Sequence, residues 1–372
     1  MNEWKNIKIG DVGKIVTGST PPTSDKENYG NDYSWVSPAD LGKTKYIENT
    51  LTKLSKKGFD KTRKIPAKSI LVTCIGSTIG KMGMTKIEMS TNQQINSIIV
   101  NKEVYDENFI YYCINYNFPK FLNKIASQAV PIISKSEFEK LEIKAPSLVE
   151  QIKIGTILNL LDKKIELQSK KIEALKLYKL CIKEMLFARA VTSETKLSNV
   201  LKKWNGKNKN NQYSYVESVS NKHGFIAQNE QFDDRSVASN DKTNYYIIRK
   251  NVFAYNPSRL DVGSLALKEN DVVSLVSPLY ECFTTNQDVH FMYEWFNSKE
   301  FRKGTYSKFE GGVRNTLNFS NLCDIKISLP SITVQNKISQ ALCVFNNKIK
   351  LEEDKYKCLL ELKKGLMQSM FV

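Results

Sequence analysis

Few residues of this chain have the types and spacing needed to do chemistry on their own. Residues 76–81 (GSTIGK) resemble a phosphate-binding loop, but only three residues separate the glycines, and Met82 stands where Ser or Thr would hold magnesium. Asn256–Ser258 (NPS) lacks the second proline and the aromatic residue of an adenine-methyltransferase motif. Glu142–Lys144 (EIK) contains the acid and lysine of a nuclease core, but the similar segment 326–328 (KIS) has no acid. These patterns predict that the chain has no catalytic site.

Metal, nucleotide and redox sites are equally unsupported. The two histidines, His223 and His290, lack nearby partners for a zinc site or a catalytic triad. The seven cysteines are scattered without a C-x-x-C pair, which is typical of reduced, mostly buried thiols. No G-x-G-x-x-G follows a strand, no apolar run approaches about 18 residues, and Met1–Asp11 does not resemble a signal peptide. We expect a cytoplasmic protein that binds no cofactor or metal and no membrane.

Net charge indicates a polyanionic partner. The chain has 55 Lys and Arg against 39 Asp and Glu, a formal charge of +16. Lys43–Lys68 carries nine basic and two acidic residues, and Lys196–Lys209 has five lysines and no acid. Such local excess, interleaved with aromatic residues, is typical of surfaces that neutralise phosphates. A lysine-rich surface that serves only solubility is the alternative.

Polar and basic residues near turns are the candidates for nucleic-acid contact. The glycine turn 76–81 could present side chains to a phosphate or base edge, or could be a structural hairpin. Thr91–Gln94 (TNQQ) and Thr284–Gln287 (TTNQ) are similar clusters, and Asn and Gln can pair with adenine in the major groove, as Arg can with guanine. The predicted DNA-binding residues are Lys64, Ser77, Thr78, Lys81, Asn92, Gln93, Gln94, Gln128, Lys135, Lys207, Arg259, Asn286, Gln287, Lys308, Arg314 and Asn315.

The elements that position these residues occur twice. Pro146–Gln151 (PSLVEQ) and Pro330–Gln335 (PSITVQ) each begin a long charged segment, and the two segments align without a gap at an offset of 184 residues. Similar pairs continue upstream of each segment and at the start of each half. The chain is therefore a tandem duplication of one globular domain followed by one long helix.

Apolar residues in the two long segments repeat with a period of seven, which predicts a coiled coil. Gln168 and Glu352 take one equivalent position in this seam and could fix its register. About 36 helical residues span roughly 54 Å, longer than a typical domain face. Packing of each helix on its own domain is the alternative. The predicted seam, which could also contact partners, includes Leu158, Leu161, Ile165, Ile172, Leu175, Leu342, Phe345, Ile349, Tyr356 and Leu359.

We expect an α+β fold with two pseudo-two-fold-related globular domains separated by two long antiparallel coiled-coil helices. A two-fold relation makes the helices antiparallel, puts the domains at opposite ends of a rod and returns Val372 towards Met1. The predicted segments are target domain 1 (1–148), a central spacer helix (149–187), target domain 2 (188–331) and a C-terminal spacer helix (332–372). Within the domains we predict strands near 69–75, 97–100, 245–248 and 272–276, and short helices at 107–121 and 291–301.

The whole chain resembles the specificity subunit of a type I restriction-modification system. The resemblance is carried by the two helix starts (Pro146–Gln151 and Pro330–Gln335), the opening Trp4–Asp11 with Thr17–Pro21, and Gly76–Lys81. The chain departs from the family pattern in its second half, where Val334 stands at the position equivalent to Glu150 and the glycine turn is absent.

The resemblance implies that each domain reads one half of an asymmetric, bipartite double-stranded DNA site. The helices would set the gap and dock two modification subunits, which carry S-adenosylmethionine and N6-adenine methyltransferase activity. Restriction subunits would add ATP-dependent translocation and magnesium-dependent cleavage. A rigid spacer predicts half-sites centred about one helical turn apart, with roughly 5–8 unread base pairs. Two alternatives stay open: a non-catalytic nucleic-acid-binding scaffold that dimerises through its coiled coil, and a fused restriction-methylation enzyme.

Overall fold

The computed structural model describes residues 4–123, 132–190, 192–221, 224–228, 241–260, 263–306, 308 and 316–371. The chain divides into two compact units, Met1–Lys171 with Glu352–Val372, and Ile172–Leu351. Both boundaries fall inside the long helices. Each unit therefore contains one globular domain and about half of each long helix.

The first globular domain is a mixture of short strands and helices. Its strands are β1 (Lys5–Lys8), β2 (Gly13–Thr17), β3 (Tyr29–Val36), β4 (Tyr46–Ile47), β5 (Thr52–Leu54), β6 (Lys64–Ile65), β7 (Ile70–Thr73), β8 (Met82–Thr85), β9 (Met89–Thr91), β10 (Ile95–Val100) and β11 (Glu142–Ala145). Its helices are α1 (Ile9–Val12), α2 (Lys56–Asp60), α3 (Glu107–Asn123) and α4 (Lys135–Lys140), with a 3₁₀ turn at Lys26–Asn28.

Two sheets and a strand pair form the framework of this domain. The larger sheet has the order β2-β10-β7-β8-β4, the smaller one β5-β3-β9-β6, and β1 pairs with β11. Every residue of β7 and β8 is buried, so neither strand alternates apolar and polar side chains. Helix α3 packs Phe109 and Ile110 into the same core as Ile70 and Met84.

The first long helix, α5, runs from Leu148 to Arg189. Its start is fixed by Gln151, whose Nε2 donates to the Pro146 carbonyl at 2.9 Å and whose Oε1 accepts the Asp106 backbone N–H at 3.1 Å. Asp106 in turn accepts the Phe109 N–H at 2.8 Å, at the start of α3. The glutamine of the repeated motif therefore joins the first turn of the long helix to the domain helix.

The second globular domain repeats this plan. Its strands are β12 (Ser193–Lys196), β13 (Leu201–Lys203), β14 (Glu217–Ser220), β15 (Gly224–Ala227), β16 (Tyr246–Ile248), β17 (Phe253–Tyr255), β18 (Leu265–Leu267), β19 (Ser274–Val276), β20 (Glu281–Thr285) and β21 (Lys326–Leu329). Its helices are α6 (Val289–Phe296), α7 (Lys299–Tyr306) and α8 (Phe319–Cys323), with 3₁₀ turns at Leu197–Asn199 and Pro257–Arg259. The sheet β13-β20-β17-β18 corresponds to β2-β10-β7-β8, and β12 pairs with β21 as β1 does with β11.

The prediction of one helix over 291–301 is wrong, because this segment contains two helices, α6 and α7. Helix α6 ends at Phe296 because the backbone dihedral angles of Asn297 are not helical. The Asn297 N–H donates to the Tyr293 and Trp295 carbonyls. The Ser298 hydroxyl then accepts the Phe301 N–H at 3.1 Å and caps a new helix. The helix predicted at 107–121 is confirmed and extends to Asn123.

The second long helix, α9, runs from Ile332 to Met370 and begins as α5 does. Gln335 donates to the Pro330 carbonyl at 2.9 Å and accepts the Asp288 N–H at 3.2 Å. Asp288 caps α6 by accepting the Phe291 N–H at 2.7 Å. The two motifs that are alike in sequence are thus alike in their hydrogen bonds.

The long helices pair antiparallel within each unit, as predicted. In the first unit Asp162 contacts Lys363 at 2.6 Å and Gln168 contacts Glu352 at 2.7 Å, so residue numbers rise along α5 while they fall along α9. In the second unit the rings of Tyr178 and Phe345 meet at 5.8 Å. The coiled coil is therefore intramolecular, which leaves its seam unavailable for the dimerisation that the scaffold alternative requires.

Every predicted seam position is buried or half-buried. Gln168 and Glu352 occupy equivalent positions in the two repeats and bond to each other, as a local two-fold relation between the helices requires. The bond from Gln168, together with Lys171 at 3.0 Å and Lys355 at 3.2 Å, lowers the pKa of the Glu352 carboxyl to about 2. Both carboxylate oxygens of Glu352 therefore have partners within the seam: Oε1 contacts the two lysines, and Oε2 accepts from Gln168.

Candidate nucleic-acid interface

Three loops of the first domain meet at one edge of its sheets and form a surface that we call the loop cluster: residues 17–20, 74–80 and 91–94. The Ser19 N–H donates to the Thr91 carbonyl at 2.8 Å, and the Cys74 N–H donates to the Gln94 carbonyl at 2.7 Å. A side chain at Gly18 would collide with Thr91 and Asn92, because its Cβ would lie 2.0 Å from the Asn92 carbonyl oxygen. The loops are therefore packed against one another by main-chain contacts.

The predicted residues Ser77, Thr78 and Lys81 lie on or beside the turn between β7 and β8. Gly76 and Gly80 both have positive φ, and a Cβ on Gly80 would lie 2.7 Å from the Phe118 ring. Position 80 therefore requires glycine, because its φ is positive and because a side chain there would collide with the Phe118 ring. Ser77 and Lys81 are exposed and Thr78 is half-buried.

The predicted cluster Asn92, Gln93 and Gln94 divides into two kinds of residue. Asn92 is buried and exchanges hydrogen bonds with Gln94, whose Nε2 also donates to the Ile75 carbonyl at 3.4 Å. Gln93 is exposed, and its Oε1 accepts the Thr20 hydroxyl. Asn92 and Gln94 therefore shape the loop, whereas Gln93 is presented to solvent.

Most of the basic segment Lys43–Lys68 is neutralised within the domain. Lys64 pairs with Asp60 at 2.9 Å, as Lys56 does at 3.1 Å. Lys57 and Lys61 lie within 3.3 Å of Asp25, and Lys68 pairs with Glu107. Asp25 and Glu107 come from segments that the local charge count did not include, and Asp60 neutralises two lysines at once, so the phosphate-binding surface predicted here is smaller than the sequence indicates.

Lys45 is removed from this surface by burial. Its Nζ lies 2.8 Å from Asn108 Oδ1 and 2.9 Å from Asn159 Oδ1, over the ring of Tyr112 at 4.2 Å. Desolvation lowers its pKa to about 7, although nearby acids, Asp162 first among them, oppose the shift. Lys45 therefore joins the domain to helix α5 rather than facing solvent.

Arg63 was missed by the sequence reasoning. It is the only arginine among residues 1–188, and it is exposed. Its N–H donates to the Ser19 hydroxyl at 3.0 Å, and its Nη1 donates to the Thr17 carbonyl at 2.7 Å. Its rarity in a lysine-rich half was the available signal.

The second domain has a turn equivalent to 74–80 between β17 and β18. There Leu317 N–H donates to the Pro257 carbonyl at 3.1 Å, as Ile133 N–H donates to Cys74 at 2.8 Å in the first domain. Gly263 has the positive φ of Gly80. The predicted residue Arg259 is exposed on this turn, in the 3₁₀ segment Pro257–Arg259.

The predicted similarity between Thr91–Gln94 and Thr284–Gln287 is not a structural equivalence. The first cluster precedes β10, whereas Asn286 and Gln287 follow the corresponding strand β20, so they lie at the opposite strand end. Gln287 Oε1 accepts Gln335 Nε2 at 2.8 Å, and Gln287 donates to Asn286 at 2.7 Å. This pair belongs to the start of α9. The segment that precedes β20 is the exposed loop around Leu279.

The remaining predicted residues are dispersed. Lys135 lies 3.6 Å from Glu139, and Lys207 lies over the Tyr246 ring at 5.5 Å. Lys308 is half-buried, and its carbonyl accepts Asn321 Nδ2 at 3.3 Å. Gln128, Arg314 and Asn315, like His223, lie outside the described residues.

The described part of the chain has neither a metal-binding cluster nor a membrane-spanning helix. Within it, no group of three or more His, Cys, Asp or Glu is placed to hold a metal ion. None of its helices combines the length and the apolar character needed to cross a bilayer.

Comparison with known proteins gives one consistent family. A family model described as the type I restriction modification DNA specificity domain matches residues 1–177 and 194–361. The HindI specificity subunit of a type I restriction enzyme from Haemophilus influenzae is 38% identical over 149 residues, which is 39% of this chain and 32% of that protein. The MjaIX specificity subunit from Methanocaldococcus jannaschii is 33% identical over 179 residues, 46% of this chain and 41% of the relative. The chain thus spans less than half the length of these curated relatives.

Solved structures show the same fold. The S subunit of a type I restriction-modification system from M. genitalium has a TM-score of 0.61 at 15% identity, and the match covers 100% of this chain and 96% of that one. A chain from a study of complex assembly and conformational transition of the type I R-M system has a TM-score of 0.59 at 14% identity, covering 99% and 97%. At these identities the likeness concerns architecture alone.

Proposed function

The chain belongs to the type I restriction-modification DNA specificity family, and we propose that each of its globular domains reads one half of a bipartite double-stranded DNA site. The proposal rests chiefly on the two equivalent turns, at 74–80 and at 257–260 with Gly263. They are held by corresponding main-chain bonds, yet one exposes Ser77 and the other exposes Arg259. A common scaffold with different exposed side chains is what two readers of different sequences need. The half-sites should therefore differ.

The paired helices would act as the spacer between the half-sites. A helix pair with a buried seam resists bending, so it can hold two readers at a constant separation. We expect half-sites centred about one helical turn apart, with roughly 5–8 unread base pairs between them. The formal charge of +16 favours association with the phosphate backbone of DNA.

The exposed faces of the helices would dock two modification subunits. Three apolar side chains recur at the offset of 184 residues and are exposed in both repeats, although apolar residues on a helix pair would ordinarily be covered. Leu160, Leu167 and Leu362 belong to the first unit, and their counterparts Val344, Leu351 and Tyr178 belong to the second. One equivalent surface in each unit is suited to one copy of the same partner.

One surface cavity in each unit also supports the binding of one modification subunit per unit. A cavity of about 580 Å³ lies between Lys5, Tyr105 and Pro146 in the first unit. Its counterpart of about 540 Å³ lies between Ser193, Gln287 and Pro330 in the second. Both adjoin the start of a long helix, so a partner on either unit would meet a similar contour.

The chemistry would belong to these partners. The modification subunits would bind S-adenosylmethionine and methylate adenine N6, and restriction subunits would supply ATP-dependent translocation and magnesium-dependent cleavage. This chain would then be a non-catalytic component of a cytoplasmic complex. It would bind no cofactor itself and would supply the DNA sequence preference of the assembly.

Lengthening the spacer tests the proposed function. Inserting one heptad into each helix beside Gln168 and Glu352, where equivalent positions face each other, keeps the seam in register. Seven residues add roughly 10.5 Å, which corresponds to about three base pairs at 3.4 Å each. Mapping of methylated adenines in cells that carry the complex should show the same two half-sequences with a gap about three base pairs longer.

The control is a pair of heptad replacements that preserve length, which should leave the gap unchanged. Altered half-sequences at an unchanged gap would contradict the spacer role. Identical methylation with and without this gene would contradict the assignment of specificity to the chain.

A further inference from the structure

Resting on the proposed function, we propose that Arg63 reads a guanine in the half-site bound by the first domain. The sequence prediction did not include this residue, which is one of nine basic residues in Lys43–Lys68. The structure separates it from them by its position, its pairing and its orientation.

The first step is position. Strand β6 pairs antiparallel with β9, and Lys64 lies opposite Ser90 and Ile65 opposite Met89. Continuing this register places Arg63 opposite Thr91, the first residue of the loop 91–94. Arg63 therefore joins the loop cluster from the edge strand, beside the exposed Gln93.

The second step is charge. Lys56, Lys57, Lys61, Lys64 and Lys68 each lie within 3.3 Å of an acid. Within the described residues, the ion pairs of the first domain include none between Arg63 and an acid. The loop cluster thus has an uncompensated guanidinium, while the lysines on either side of it are neutralised.

The third step is preorganisation. Nη1 donates to the Thr17 carbonyl at 2.7 Å and to the Gly18 carbonyl at 3.4 Å, which fixes the plane of the guanidinium. These bonds involve one nitrogen, so the edge formed by Nε and Nη2 is outside them. Guanine O6 and N7 match a planar pair of donors, and an arginine held in advance loses less side-chain entropy on binding. A lysine cannot reproduce this two-point geometry.

The neighbouring residues fit a base-reading role. Gln93 is exposed and is held by the Thr20 hydroxyl, on the same loop that anchors Arg63. Asn and Gln side chains can recognise adenine in the major groove. Arg63 and Gln93 therefore offer adjacent contacts for neighbouring base pairs, with the Ser77 turn beside them.

The test uses the complete complex of this chain with its modification subunits. The wild-type chain, Arg63→Lys, Arg63→Ala and the control Lys53→Ala are compared by mapping methylated adenines and by measuring DNA binding over a series of salt concentrations. Lys53 lies on β5, the opposite edge strand of the same sheet, so the control removes one positive charge from the same segment away from the loop cluster.

Both Arg63 variants should lose discrimination at one base pair of one half-site, by about 5- to 150-fold, while the other half-site is unchanged. Lys53→Ala should preserve every position. Arg63→Lys keeps the charge and can still donate to the loop carbonyls, so it tests recognition even if Arg63→Ala fails to fold.

Three results would overturn the inference. Full discrimination in Arg63→Lys would show that planar recognition is not used. Uniformly weaker binding with all base preferences kept, and a salt dependence reduced by about one charge, would make Arg63 a phosphate contact. A lower melting temperature of Arg63→Ala with unchanged base preferences in both variants would make it a loop anchor. A wild-type complex without bipartite methylation would instead refute the proposed function and this inference with it.

Discussion

Replacing the motif glutamines by leucine should destabilise one unit at a time. Gln151→Leu leaves the Asp106 N–H and the Pro146 carbonyl without their partner, and Gln335→Leu does the same to Asp288 and Pro330. Both glutamines are almost fully buried, at 2% and 0% exposure, so water cannot easily replace the lost bonds. An unpaired buried polar group costs about 1–3 kcal/mol.

Two such groups give a range of about 2–6 kcal/mol for Gln151→Leu. Gln335→Leu also removes the bond from Nε2 to Gln287 Oε1, a part-buried acceptor, so its cost should be at least as large. The aspartate N–H groups are only partly buried, so we expect the lower part of the range, about 2–4 kcal/mol. Leucine is close to glutamine in volume, which limits any contribution from a cavity.

Hydrogen exchange resolved by peptide measures the effect in each unit separately, since a single unfolding free energy is poorly defined for a chain with two units. Gln151→Leu should speed exchange in α3 and the first turns of α5, and Gln335→Leu should do so in α6 and the first turns of α9. Lys153→Leu and Asn336→Leu are exposed neighbours that serve as controls. A loss under about 1 kcal/mol, or equal effects in both units, would refute the reasoning.

Two further predictions concern buried charges. Burial would raise the pKa of Glu294, but Lys179 at 2.6 Å and Lys183 at 3.3 Å outweigh it and lower that pKa. Glu294→Gln should therefore cost the second unit about 3–5 kcal/mol, measured by hydrogen exchange of its peptides, and unchanged exchange there would contradict this. Lys45 has a pKa lowered to about 7 in the folded chain, so between about pH 7 and its unfolded value of 10.5 the unfolded state holds more protons and stability rises with pH. Lys45→Met should flatten that rise in unfolding measured across this window, whereas an unchanged slope would refute the assignment.

The sequence predicted those features that depend on periodicity and repetition. The seam could be found because apolar residues recur every seven positions in both repeats, and the antiparallel pairing followed from the duplication. The Pro-Ser motif marked both helix starts. Its glutamine could not be understood from sequence, because its partner Asp106 or Asp288 lies more than forty residues earlier.

The candidate site was harder to predict because some of its lysines are paired with acidic residues that are distant in sequence and close only in the folded chain. Asp25 neutralises Lys57 and Lys61 from over thirty residues away, so a local count of lysines overstated the basic surface. The likeness of Thr91–Gln94 to Thr284–Gln287 was misleading, since composition does not reveal which end of a strand a cluster occupies. Arg63 was overlooked although it is the only arginine among residues 1–188, because only the fold shows that the neighbouring lysines are paired with acids.

The packing of Phe371 has a consequence for how the protein is made. Phe371 meets Trp4 at 6.1 Å and Phe109 at 5.6 Å, so residues near the end of the sequence complete a core whose other members are translated first. During synthesis, the apolar face of the first domain that contains Trp4 and Phe109 therefore stays exposed until Phe371 has left the ribosome. A premature stop codon ahead of residue 352 would leave that face open, and such fragments should be recognised by chaperones and degraded before they compete for partners.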